Sequence, residues 1–96
     1  MSRDEVLTIL SEHRREINAI GVKSIAIFGS VARDEAGANS DIDVLVEFNP
    51  PATYDAYMRL KSLLEKIVGR HVDLVTQRAL KPRMRPVVEK EAVYVP

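Results

Sequence analysis

A short apolar run, Lys23 to Phe28, ends in Gly29-Ser30, and ten residues later Asp41-Ile42-Asp43 opens a second run that continues to Phe48. No other part of the chain restricts its fold so strongly. Both runs are short, apolar and rich in β-branched residues, which predicts two strands joined across a Gly-Ser turn. Residues i and i+2 of a strand share a face. Asp41 and Asp43 are therefore expected side by side, about 6–7 Å apart at Cα. Ile42, Val44, Val46 and Phe48 fall on the opposite face, so the sheet should be covered on one side and open to a cleft on the other. Two carboxylates this close repel one another unless a cation lies between them.

The flanking segments supply the remaining elements. Ser2 and Glu5 form a capping box for a first helix over about 3–20, with Val6, Leu7, Leu10, Ile17 and Ile20 on its stripe, His13 beside it and Gly21 as its stop. Residues 31–40 read as a loop, or a short helix followed by a loop. Asn49-Pro50-Pro51 is a break, after which Thr53 can cap a second helix running to Val68 before Gly69. His71 to Thr76 reads as a third strand, with Val72 and Leu74 on the core side and His71, Asp73 and Val75 on the open side. A short helix near 83–91 and an edge strand within Ala92–Val95 complete an αββαβα order with a final β. The expectation is a single domain, 1–96, of the α/β (α+β) class: a small mixed sheet with helices on one face.

Composition removes several classes of function. The chain has no cysteine, so thiolate zinc sites, disulfides and a cysteine nucleophile are excluded. No apolar run reaches the roughly 18 residues of a membrane span, and a soluble, cytoplasmic protein is expected. Equal numbers of acidic and basic residues, 14 each, argue against a general nucleic-acid binder. The charges are nevertheless segregated. Asp34 to Asp55 holds six acids and no base, whereas Arg78 to Lys90 holds five bases and one acid. The acidic centre suits a divalent cation and the basic segment suits phosphates or an acidic partner. With 96 residues there is room for one core, so a large substrate is expected to be bound partly by another protein or a second copy.

The residue types around the turn suit phosphate chemistry. Gly29 permits close backbone approach. Ser30 and the amides after it can hydrogen-bond a β- or γ-phosphate, aided by a helix start if 31–36 is helical, and Arg33 can neutralise phosphate charge. Asp41 and Asp43 offer the oxygen ligands that Mg²⁺ prefers. Asp73, on the same open face, is the natural third ligand or a general base. Two Mg²⁺ ions about 3.5–4 Å apart would hold the triphosphate and activate an acceptor hydroxyl. Glu47 lies about 13 Å from Asp43 by strand rise, too far for the same ion. His13 and His71 have no partner at metal-ligand spacing and read as a core-boundary and an exposed residue. Tyr54, Tyr57 and Tyr94 are expected to pack. No Ser-His-Asp order and no Walker-type loop occurs.

Gly-Ser-x-Ala-Arg at 29–33 followed by Ser-Asp-Ile-Asp at 40–43 resembles the signature of the DNA polymerase β-like nucleotidyltransferases. On so short a chain it resembles the minimal nucleotidyltransferase (MNT) family in particular. The resemblance covers essentially the whole chain. It implies a nucleotidyltransferase fold and an antitoxin that transfers AMP from ATP to a tyrosine hydroxyl of a HEPN-domain ribonuclease toxin. It also implies nucleotide-binding roles for Gly29 and Ser30, Mg²⁺-binding roles for Asp41 and Asp43, and Asp73 as third acid. Larger relatives carry an added acceptor domain, so a partner protein is expected to complete the site here. Two other readings stand beside it: a non-catalytic antitoxin that neutralises its partner by complex formation, and transfer to a small molecule such as an aminoglycoside. Asp34 departs from the resemblance, since relatives often carry Gly after the Arg, and this bears on the geometry of the loop. An exposed edge near Val93 to Val95 could pair with another chain, giving a homo-oligomer.

Overall fold

The computed structural model describes all 96 residues. The chain begins with α1 (Arg3–Glu12), whose capping box is formed as the sequence predicts: Ser2 Oγ accepts from the Glu5 amide and the Glu5 carboxylate accepts from the Ser2 amide. The expected single helix over 3–20 is in fact two. His13 closes α1 with φ −103° and ψ 17°, and α2 (Arg14–Ala19) starts afresh. The ring of His13 turns back to hydrogen-bond the Ile9 carbonyl at 2.9 Å, which also accepts the His13 amide at 3.3 Å. Val6, Leu10 and Ile17 remain fully buried across the break.

The strands are β1 (Val22–Phe28), β2 (Ile42–Phe48), β3 (Val72–Thr76) and β4 (Val93–Tyr94). They form one mixed sheet in the order β3-β2-β1-β4. β1 runs antiparallel to both β2 and β4, and β2 runs parallel to β3. A parallel neighbour requires a crossover, which α4 (Tyr54–Val68) supplies. Thr53 Oγ1 caps α4 at the Ala56 amide, and Gly69 ends it in the left-handed conformation at φ 68°. Between β1 and β2 lies α3 (Gly29–Ala32), and α5 (Arg85–Glu91) precedes β4.

Seventeen buried residues form the main core between one sheet face and α1, α2 and α4, among them Leu10, Ile25, Ile27, Val44, Val46, Leu60, Leu64 and Val72. Burying this apolar surface is the chief driving force for the fold. The opposite face is barer but not fully open. There α5 places Val88 against Ala26 and Leu45, and all three are buried. Leu45 sits between Asp43 and Glu47 on that face, so a small apolar patch divides the two acids. Tyr57 is half-buried and its hydroxyl donates to the Leu74 carbonyl at 2.6 Å. Tyr54, the first residue of α4, and Tyr94, on the two-residue edge strand β4, do not pack as expected: they are 79% and 50% exposed.

Candidate active site

Sheet register brings the predicted residues together. Phe28, the last residue of β1, lies opposite Asp43, and Asp43 lies opposite Asp73. One row across three strands therefore holds the start of the Gly29-Ser30 turn, the second acid of the pair and the third acid. Parallel pairing requires this alignment, because the Ile42 amide donates to the His71 carbonyl at 3.0 Å and fixes Ile42 against Val72.

Gly29 is needed twice over at this point. Its φ of 69° is in the left-handed region, where a side chain is unfavourable. A Cβ there would also overlap the Asp43 carboxylate oxygen and approach its Cγ to 3.1 Å and its Cβ to 3.4 Å. The turn thus lets the backbone lie against the carboxylate. Where the sequence allows a loop or a short helix from residue 31, a helix begins earlier, at Gly29, and lasts only one turn, to Ala32. Its macrodipole is correspondingly small. The first-turn amides, which have no intrahelical acceptor, remain the donors available to a phosphate.

Asp43 is half-buried and its carboxyl is pushed above the ordinary aspartate range. Partial burial is the main cause, followed by the charges of Asp73 and Asp41; Arg33 opposes the shift, and a side-chain hydrogen bond with Asp73 adds to it. Asp43 and Asp73 thus pair directly across β2 and β3, where the charge of one bears on the other. Asp41 stands further out. It precedes β2, is exposed, and has one carboxylate oxygen 3.3 Å from His71 Nδ1. The three acids do not close into a ready-made cage, and no group of three or more His, Cys, Asp or Glu side chains does so elsewhere. An open, all-oxygen shelf of this kind fits Mg²⁺, which takes one or two carboxylates and completes its shell with substrate phosphate oxygens and water.

Arg33, expected to face phosphate, is engaged otherwise. Its guanidinium lies 2.8 Å from Glu91 on α5 and 3.4 Å from Glu35. Glu91 foremost holds it still more firmly in the charged form. The loop that follows is ordered by local bonds. Asp34 adopts φ 61° and its carboxylate accepts from the Arg3 amide at 3.0 Å. Aspartate is among the few residues that tolerate this conformation, so the departure at position 34 keeps a glycine-like backbone. Arg70 donates to the carbonyls of Gly37 and Ala38, tying the loop to the foot of β3. The contributions of Arg70 and His71 escaped sequence reasoning, although both stand immediately before the strand that carries Asp73. Two surface grooves lie away from Asp41, Asp43 and Asp73. One, of 920 Å³, lies at the opposite end of the sheet, between Lys23, Glu47, Tyr54, Gln77 and Arg85.

A family model described as the nucleotidyltransferase domain matches residues 4–95. The chain belongs to the nucleotidyltransferase family. This nucleotidyltransferase is 36% identical over 96 residues to the protein adenylyltransferase MntA of Thermococcus cleftensis, covering 99% of this chain and 97% of the relative. A solved structure provisionally described as a minimal nucleotidyltransferase superposes with a TM-score of 0.78 at 38% identity, covering 97% and 95% of the two chains. A chain from the complex of a tri-AMPylated Shewanella oneidensis HEPN toxin with MNT antitoxin shares the fold at 18% identity and a TM-score of 0.66, covering 93% of this chain and 71% of that one. The resemblance read from residues 29–43 is therefore to the right family, and the chain is an enzyme of nucleotidyl transfer.

Proposed function

We propose that this nucleotidyltransferase transfers AMP from ATP to a tyrosine hydroxyl of a HEPN-type partner protein and thereby silences it as an antitoxin. The observation that carries the reading is the row Phe28–Asp43–Asp73, which sets the Gly29-Ser30 turn beside the strand positions of Asp43 and Asp73. Gly29, Ser30 and the amides after them bind the triphosphate. Asp41, Asp43 and Asp73 would hold Mg²⁺, which when bound neutralises phosphate charge and activates the acceptor hydroxyl. The tyrosine oxygen forms a bond to the α-phosphorus. The bond from that phosphorus to the bridging oxygen breaks, and pyrophosphate leaves with the electron pair. Asp73, exposed at the rim, receives the hydroxyl proton. The open shelf offers little enclosure for an acceptor, which favours a protein partner that closes over it.

The test is incubation of the protein with α-labelled ATP, Mg²⁺ and the HEPN-type protein encoded beside it. Label on a partner tyrosine, lost in Asp43→Asn with partner binding intact, is expected. Absence of label with any nucleoside triphosphate refutes the reading, as does full neutralisation of the partner by an Asp41→Ala/Asp43→Ala double variant.

A further inference from the structure

We propose that His71 is a positioning residue that sets the Asp41 carboxylate for the divalent cation. The proposal rests on the reading of Asp41 as a cation ligand given above. Asp41 lies just outside β2 and is exposed, so neither strand pairing nor core packing fixes its side chain. The ring of His71 is the group that approaches it. Its Nδ1 lies 3.3 Å from Asp41 Oδ2, and its other ring nitrogen lies 3.9 Å from Glu65 Oε2. Glu65 is itself anchored, since the same oxygen accepts the Val72 amide at 2.9 Å. The His71 carbonyl meanwhile accepts the Ile42 amide at 3.0 Å. Backbone and ring of one residue thus grip both sides of the Asp41–Ile42 junction. The contact is an approach within ion-pair distance between two exposed side chains. The contact engages one of the two carboxylate oxygens, and it restricts the rotation that an unsupported aspartate would lose only on binding the ion. Groups that orient cation ligands in this way typically change affinity by about 10–100-fold when removed. The exposure of this pair places it at or below the lower end of that range.

Titration of Mn²⁺ into the nucleotide-free protein, followed calorimetrically, tests the proposal without reference to turnover. His71→Ala is expected to weaken cation affinity about five- to tenfold. His71→Gln, which retains a side-chain N–H donor, should restore most of it. In the transfer assay, His71→Ala should raise the Mg²⁺ concentration for half-maximal rate while kcat at saturating Mg²⁺ stays near the wild-type value. A merely structural role would instead lower Tm and kcat at every cation concentration, and that result overturns the proposal. So does unchanged Mn²⁺ affinity in His71→Ala alongside weakened affinity in Asp41→Asn. If Asp41→Asn itself binds Mn²⁺ as the wild type does, the fault lies in the underlying assignment of Asp41.

Discussion

Substituting Gly29 by alanine separates two costs that the structure superimposes, because Gly69 provides a matched control. The two glycines have almost the same backbone angle, φ 69° and 68°. A side chain in this conformation costs about 1–2 kcal/mol, and for a domain of this size each kcal/mol moves Tm by about 4–8 °C. Gly29→Ala and Gly69→Ala should therefore both melt about 4–16 °C below the wild type in a calorimetric scan. They differ in what the new methyl meets. At Gly69 nothing lies within 4 Å, whereas at Gly29 the methyl overlaps the Asp43 carboxylate and lies 3.1 Å from its Cγ. Asp43 can relieve the overlap only by rotating its carboxylate away, a movement on the order of 1 Å, and a displacement of that size at a reacting centre costs about 100-fold in rate. Nucleotidyl transfer, measured well below both melting temperatures, should fall about 100-fold in Gly29→Ala and stay within about threefold of wild type in Gly69→Ala. Equal activity in the two variants would refute the claim that Gly29 is there to admit the Asp43 carboxylate.

Asp43→Asn should stabilise the cation-free protein while abolishing transfer. The folded state raises the pKa of Asp43, so the native protein holds that proton more tightly than the unfolded chain, and stability falls as pH rises from the unfolded value of about 3.9 through the folded one. The Tm advantage of the asparagine variant should thus be full at neutral pH and shrink on acidification through that window; a gap that is constant with pH would contradict it. Steady-state kinetics address Arg33: Arg33→Gln should raise the KM for ATP about tenfold if the guanidinium reaches phosphate, whereas Glu91→Gln, which frees it from α5, should leave KM within about twofold. Denaturant unfolding should show Asp34→Ala about 1–2 kcal/mol less stable than wild type. Asp34→Gly should lose about 1 kcal/mol or less, because glycine restores backbone freedom as the bond to the Arg3 amide is lost.

What was legible in the sequence had local causes. β2 is marked by alternation from Ile42 to Phe48, broken only at Leu45, and α4 by its Thr53 cap and Gly69 stop, and both elements stand where these signals place them. The break at His13 was hidden because Leu10 and Ile17 are seven residues apart, two helical turns, so the stripe stays in phase across the interruption. The second small core had a signal in Leu45 and Ala26, two apolar residues on the face assigned to the cleft, but their partner Val88 lies on α5, more than forty residues further on. The site divides in the same way. Gly29, Asp41 and Asp43 announced themselves by spacing. The pairing of Arg33 with Glu91, and of His71 with Asp41, depends on how distant segments dock. The second of these is readable only once β2 and β3 are known to run parallel, because that register sets residue 71 beside residue 41.

The alignment of Phe28, Asp43 and Asp73 is a non-local feature of the fold. The turn, the paired acids and the third acid enter from three separate strands, and the last is delivered only after the α4 crossover has wrapped back onto the sheet. Without residues 72–76 there is no β3 and no Asp73 beside Asp43. The row is completed only when the β2–β3 ladder closes, so loosening that ladder would part Asp73 from Asp43 without altering either residue.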